Sequence, residues 1–312
     1  MKKILTLTVA AATLLAFASC QKEGVYNPKK KIAKIYEYSL STTENSYGGE
    51  TFSYADTTPK HMTQEWTWDG KLLKSISYYN YDERGKQSVF SYKMDLTYDG
   101  KKLSKVSEGS NNYANYIYDG NQISKIESYN DGELSCVMEI THDGKKISKV
   151  VMTIYEEDAP ETLAKFALNS VVPSQKVVET IFAHRKAKAA VSMTETIEFT
   201  YDGGNVSQLL VTYGEERMTS DFTYDEMKNP FQGNYALVAG GEGEASFINE
   251  NNVLTERTVW SNNGESNDAD TDTYTYEYDG KYPVSRTRTS TYGDGDNYKT
   301  TYTHTVYYEY AE

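Results

Sequence analysis

The chain has 312 residues, a formal net charge of −13 and a hydrophobic share of only 38%. The charge argues against nucleic-acid binding, which rests on Lys and Arg neutralising phosphates, and after the N-terminus no run is long and apolar enough for a helical membrane span. Twenty-nine tyrosines and many threonines suit half-buried pleated sheet, where a ring packs while its hydroxyl stays wet.

The N-terminus is read first because it is excluded from the fold. Lys2 and Lys3 precede an apolar stretch from Ile4 to Phe17, and Ala18 and Ser19 lead into Cys20. A positive start, a short apolar run and small residues before a cleavage point mark a targeting segment. The arrangement resembles a bacterial lipoprotein signal, although Phe17 stands where that pattern prefers Leu. The resemblance implies removal of residues 1–19 and lipidation of Cys20. Acyl chains at about 0.8 kcal/mol per buried methylene would anchor the protein stably. The alternative is an ordinary secretory signal with an incidental cysteine. Gln21-Lys22-Glu23 resembles the Lys-plus-acid tag of surface-exported lipoproteins of the Bacteroidetes, with Gly24 in place of the usual second acid. This implies an outer-membrane protein, lipid-anchored, on the extracellular face. Residues 20–33, with Lys29-Lys30-Lys31, read as a solvated tether, and residues 34–312 as the folded domain.

The first strand is expected around Ile35–Leu40, followed by a loop or irregular hairpin over Ser41–Lys60. From there a short pattern recurs: aromatic-Asp-Gly, two variable residues, aliphatic, Ser, polar, aliphatic. Its copies start at Trp68-Asp69-Gly70, Tyr98-Asp99-Gly100, Tyr118-Asp119-Gly120, His142-Asp143-Gly144 and Tyr201-Asp202-Gly203, with looser ones at Tyr224-Asp225 and Tyr278-Asp279-Gly280. Asp-Gly between strand-like runs signals a hairpin, because the tight turn needs positive φ, which Gly takes freely and Asp tolerates. The aliphatic positions after each turn lie three apart, as in Leu103 and Val106 or Ile147 and Val150. A flat strand would put them on opposite faces. A β-bulge near the Ser would return both to one face and bend the sheet.

The repeat lapses between 158 and 193. There Pro160 falls in the first turn of a short helical pattern, and Ser174 could cap a second helix carrying Val177, Val178, Ile181 and Phe182. The β-branched content leaves a strand open. The fold class expected is all-β: a large bent antiparallel meander of consecutive β-hairpins with a small helical insertion around 158–193. Tyr302–Tyr310 reads as the final strand.

With the units laid out, the pattern is similar to the YD-type repeats of RHS proteins. The lipobox, the repeats and the Tyr224-Asp-Glu-Met-Lys-Asn-Pro-Phe231 segment together look like a group of uncharacterised Bacteroidetes surface lipoproteins with YD/RHS-like repeats. The resemblance covers most of residues 60–300 and brings no activity onto individual residues.

Chemistry finds little footing. There is no Gly-x-Ser-x-Gly elbow, no phosphate-cradling loop and no His-Glu-x-x-His. His61, His142, His184 and His304 are scattered, and His142 reads as a substitute for Tyr in its repeat. With Cys20 lipidated, Cys136 is the sole thiol, so no internal disulfide forms, and its strand-like run reads as buried. Asp268, Asp270 and Asp272 are weak calcium candidates, since Thr273 and Asp279 break the EF-hand pattern. No catalytic residue and no cofactor is assigned, and the chain is not read as an enzyme. The remaining lead is aromatic surface. Tyr78, Tyr79, Tyr113, Tyr116, Tyr302 and Tyr308 are the candidates for a platform that binds a glycan or a protein, whereas cross-strand ladders stabilising the sheet are the alternative. These readings lead to a non-catalytic surface binding module, with a structural or assembly component of an outer-membrane complex, or less readily a hydrolase, as alternatives.

Overall fold

The computed structural model describes residues 23–47, 50–155, 193–235, 248–262, 265–266, 269–294 and 298–312. The regular structure among them is strand. A long hairpin of β1 (Ile32–Tyr47) and β2 (Glu50–Asp69) leads into β3 (Leu72–Asp82), β4 (Gln87–Asp99) and β5 (Lys102–Glu108). The meander continues with β6 (Asn112–Asp119), β7 (Gln122–Asn130), β8 (Glu133–Asp143) and β9 (Lys146–Ile154). Then come β10 (Met193–Asp202), β11 (Asn205–Tyr213), β12 (Glu216–Tyr224) and β13 (Val253–Asn262). The two-residue β14 (Glu265–Ser266), β15 (Asp270–Asp279), β16 (Tyr282–Asp294) and β17 (Tyr298–Tyr310) complete it. The helical insertion expected around 158–193 falls almost entirely on residues outside the described ones.

Sixteen strands, all but the short β14, pair antiparallel in chain order, and β17 returns to pair with β1. Ile35 faces Tyr308 and Glu37 faces Val306 across this seam. The sheet is therefore closed, which removes the free edges on which strands of other chains could grow. Over β3–β9 the inward face is largely apolar and the outward face polar, whereas β13–β17 and β1 also bury polar side chains such as Glu37, Glu256, Asp272, Arg288 and His304. Leu73, Ile76, Met94, Leu96, Leu103, Val106, Ile123 and Ile126 belong to one buried core, whereas Lys74, Lys93, Asp95, Thr97, Glu139, Glu198, Thr200, Thr273 and Glu277 point outward. A barrel crossing a bilayer shows the reverse, an apolar belt around a polar lumen.

The repeat builds this wall by four linked devices. The loop residues are Gly and the position after it, because Asp99 pairs with Lys102 and Asp119 with Gln122. Only the glycine has positive φ, +61° at Gly100 and +58° at Gly120. This is the type II′ pattern with Gly first, so the turn sits one residue later than an Asp-Gly loop would, and the aspartate ends its strand. Second, the register shifts one residue beyond the turn in every full copy: Tyr98 faces Leu103, yet Thr97 faces Lys105. In the first copy, where serine and its polar neighbour are exchanged, the unpaired residue is Lys74; in the other four it is the repeat serine. Its hydroxyl donates to the carbonyl seven residues back, Ser104 to Thr97 at 3.1 Å, Ser124 to Ile117 at 3.2 Å and Ser207 to Thr200 at 3.2 Å. The bulge inferred from aliphatic spacing is thus present, and the serine is there to satisfy a carbonyl that the bulge frees.

Third, the aromatic residue of one unit donates to the first aliphatic carbonyl of the preceding unit. Tyr98 reaches Leu73 at 2.7 Å, Tyr118 reaches Leu103 at 2.7 Å, Tyr201 reaches Ile147 at 2.9 Å and Tyr224 reaches Val206 at 2.7 Å. Fourth, the residue two beyond the glycine reaches the next turn: Lys102 Nζ donates to Gly120 O at 2.5 Å and Lys146 Nζ to Gly203 O at 2.5 Å. These lysines lie over the rings of Tyr118 and Tyr201. Each unit therefore clamps its neighbour around the glycine-turn end.

Two segments fill that end. Glu23 and Gly24 run beneath the turns, with Glu23 accepting from Ile123 N at 2.7 Å and Gly24 O from Leu103 N at 2.8 Å. Tyr26 is buried between Trp66 and Trp68 and donates to Pro230 O at 2.8 Å. Residues 225–235 and 248–252 enter beside them: Asn249 accepts from Val206 N at 2.8 Å, and Tyr116 donates to Tyr235 O at 2.8 Å. The solvated tether expected over residues 20–33 is corrected here. From Glu23 onward this stretch is part of the packing, because it supplies acceptors to backbone N–H groups that the bulges leave unpaired. Even Lys30 and Lys31 are engaged, with Asp279 and Gly70 O respectively.

Candidate functional site

The six tyrosines expected to form a platform are dispersed. Tyr78, Tyr116 and Tyr308 are buried in the barrel core, which corrects their assignment to an exposed face: register puts them on the inward side of β3, β6 and β17. Tyr302 also points inward, its ring stacked near His304 at 6.3 Å. Tyr79 and Tyr113 do lie on the outer wall, but on separate strands and with separate partners. Tyr79 packs edge-on to Phe90 and donates to Glu65, and Tyr113 stacks on Tyr129 at 4.7 Å beneath Lys105. The ladder alternative accounts for these pairs and for Tyr78 against Tyr92 at 4.5 Å.

A different set of aromatics converges on the outside of β1–β4. The cause is β2, whose register against β1 shifts between Ile35 and Tyr36 and again between Glu37 and Ser39. Pro59 has no N–H to give a ladder, so the strand bows out there. The bow carries Lys60 over the rings of Tyr307 at 3.8 Å and Tyr36 at 5.3 Å, and turns His61 toward Tyr81 at 5.0 Å. His61 Nδ1 lies 2.9 Å from Pro59 O, which fixes the ring. The β3–β4 turn forms the opposite bank. Asp82 accepts from Arg84 N at 3.0 Å and Gly85 N at 3.1 Å, and Lys86 takes a positive φ of +51°. That is an uncommon conformation for a side chain bearing a Cβ. Between the banks lies an open groove of about 580 Å³. Tyr36, His61, Met62, Tyr81, Gln87 and Ser88 line it, with Lys60 and Lys86 at its margin. Burial and the carboxylate of Glu309, 3.2 Å away, raise the Tyr36 phenol above its ordinary value, so it is a neutral donor at physiological pH. Rings, amide, hydroxyl and imidazole are present. Such a surface can stack on and hydrogen-bond a ligand.

The second concentration of polar groups is inside. Glu37 accepts from Thr63 at 2.9 Å and lies 3.3 Å from His304 Nε2. Asp272 accepts from Ser290 at 2.5 Å and pairs with Arg288 at 3.4 Å, and Tyr274 donates to Glu256. These carboxylates are occupied in cross-strand bonds that make a polar lumen wall compatible with burial. Asp272 is thereby placed away from any calcium loop: its strand turns it inward to an arginine. Asp270 begins the same strand, and Asp268 lies outside the described residues. Among the described residues no group of three or more His, Cys, Asp or Glu could hold a metal ion. Three of the histidines stand apart, His61 in the groove, His142 on Glu23 at 2.9 Å and His304 in the lumen. Cys136 is a buried thiol, and Cys20 and His184 lie outside the described residues.

Repeat-based reasoning could not find the groove, because it forms where the repeat is absent. The signal available was Pro59 inside a strand-like stretch, with His61 and Lys60 beside it. No protein-family description matches the chain, and no curated protein resembles it significantly.

Proposed function

We propose that the protein is a lipid-anchored surface protein whose barrel is a non-catalytic binding module, and that the outer groove between Tyr36 and Tyr81 receives a glycan or a peptide segment. The groove carries this reading: a concavity of ligand size, about 580 Å³, in which separated strands present aromatic rings with hydrogen-bonding groups between them. A glycan array probed with the soluble barrel tests it. Tyr36→Ala and Tyr81→Ala should each weaken binding on the order of tenfold, as loss of an aromatic anchor does, while Tyr113→Ala elsewhere on the wall binds normally. Equal binding by all three variants would refute the groove as the site.

An assembly role is the second reading, favoured by one observation. The β1–β2 hairpin exposes Phe52 and Tyr54, 58% and 60% accessible, and Asn45 joins Phe52 to exposed Tyr298 in one cross-strand row. Apolar side chains held at such exposure in register suit a protein partner.

A further inference from the structure

The barrel has two unlike ends, and the N-terminal segment belongs to only one. Glu23 and Gly24 bond to Ile123 N and Leu103 N, each three residues past a turn glycine, so the chain reaches the barrel at the glycine-turn end. Only Gln21 and Lys22 separate Glu23 from Cys20, a contour of roughly 10 Å at most. An acyl group on Cys20 would hold this end, and no other, against a bilayer. The same end carries exposed lysines at the second turn position: Lys71, Lys101, Lys145 and Lys281. Strand-end aspartates such as Asp69, Asp99, Asp143 and Asp279 sit beside them, so this end is near charge balance. The chain as a whole is at −13, and the remainder of the barrel therefore holds most of the excess negative charge. Near an anionic surface that distribution favours one orientation, the lysine-bearing tips toward the headgroups and the acidic body away.

We propose that the glycine-turn end is a membrane-facing surface, with Lys71, Lys101, Lys145 and Lys281 contacting anionic lipid headgroups. The opposite end, with the β3–β4 turn and the projecting β1–β2 hairpin, is then presented outward. The inference rests on the acylation of Cys20. The groove bordered by Lys86 and Tyr81 consequently lies toward the end away from the bilayer, where a soluble or cell-bound ligand can reach it.

Fluorophores attached to cysteines at Asn121, on a glycine-turn tip, and at Ser110, on the opposite end, give the test. The two sites are separated by β6, eight residues or about 27 Å of strand. Buried Cys136 stays unlabelled in the native protein. The full lipidated chain is reconstituted into vesicles of equal parts phosphatidylcholine and phosphatidylglycerol carrying a headgroup quencher, and into pure phosphatidylcholine vesicles. Quenching several-fold stronger at Asn121 than at Ser110 is the expected result, and equal quenching or the reverse order would overturn the orientation. Charge reversal of the four lysines to Glu should reduce Asn121 quenching several-fold on the anionic vesicles and leave it unchanged on phosphatidylcholine. No change on anionic lipid would refute the lysine contact while leaving the tethered end in place. Co-sedimentation distinguishes the premise: if Cys20→Ala sediments with vesicles as the parent does, the anchor itself is wrong and the proposal falls with it.

Discussion

Raising the pH should unfold this barrel over a narrow interval above pH 10, and the aromatic ladder sets the steepness. Tyr98, Tyr118, Tyr201, Tyr224 and Tyr310 each donate a phenolic hydrogen to a backbone carbonyl of the neighbouring unit. Burial, first among the causes, raises all five phenols well above the ordinary tyrosine value. In the unfolded chain these groups release protons near pH 10. Their contribution to stability is therefore complete below about pH 10 and is lost as pH rises toward the folded-state values. Between those limits the native state holds more protons than the unfolded state, so each phenol lowers stability by about 1.4 kcal/mol per pH unit. Five acting together give about 7 kcal/mol per pH unit, against a total stability of roughly 5–15 kcal/mol for a folded domain.

Far-ultraviolet circular dichroism and tyrosinate absorbance, followed together from pH 8 to 12, read this directly. The β signal should collapse cooperatively, and most tyrosinate should appear in the same transition. Tyr118→Phe should cost about 1–3 kcal/mol at pH 7, because Leu103 O loses its donor, and should flatten the alkaline slope by one phenol's share. If the ladder tyrosines ionise near pH 10 with the β signal intact, they are not held as donors and the ladder assignment is wrong.

The turn assignment predicts that Gly100→Val and Gly120→Val each destabilise by on the order of 1–3 kcal/mol. Nothing lies within 4 Å of a Cβ built at either position, so strain at φ of +61° and +58° is the whole effect. Urea denaturation midpoints that match the parent for both would remove these glycines from II′ turns. At Gly24 the steric term is added: its φ is +70° and a Cβ would sit 1.9 Å from Tyr118 Oη. Gly24→Ala should therefore pull the N-terminal segment from the rim, at about 1–2 kcal/mol for the left-handed conformation with overlap added. Hydrogen exchange should then quicken at the Leu103 and Ile123 amides, and unchanged protection there would disprove the docking.

How far the sequence carries depends on whether a feature is local. The bulge was legible because Leu103 and Val106, or Ile147 and Val150, can share a face only if one residue between them drops out of register, and Ser104 and Ser148 do so. The Asp-Gly signal located the repeat hairpins but misplaced their loops by one residue, since composition alone does not tell whether Asp or the residue after Gly enters the turn. Closure was not legible: it depends on pairs such as Tyr38 with Thr305, and neither strand carries the repeat. The tyrosine excess divides between the ladder and stacked cross-strand pairs, leaving the groove to Tyr36 and Tyr81.

Departures from the pattern prove more informative than the pattern. Pro283 occupies the first aliphatic slot of its unit, the position whose N–H elsewhere needs an acceptor from an inserted segment, as at Leu103, Ile123 and Val206. A proline there brings no N–H to satisfy, while its carbonyl still accepts from Tyr310 at 2.7 Å. His142 replaces the ladder tyrosine at the one unit where Glu23 enters, and one carboxylate serves both the Ile123 N–H and the imidazole. Pro59 interrupts β2 where the wall bows into the groove. His142 thus marks the place where the wall meets the N-terminal segment, and Pro59, which precedes the first repeat, is exposed on the outer wall. A ligand approaching this barrel finds a groove there because the chain gave up regular pairing at that point, which is the physical reason to look for recognition on β1–β4 before any other part of the surface.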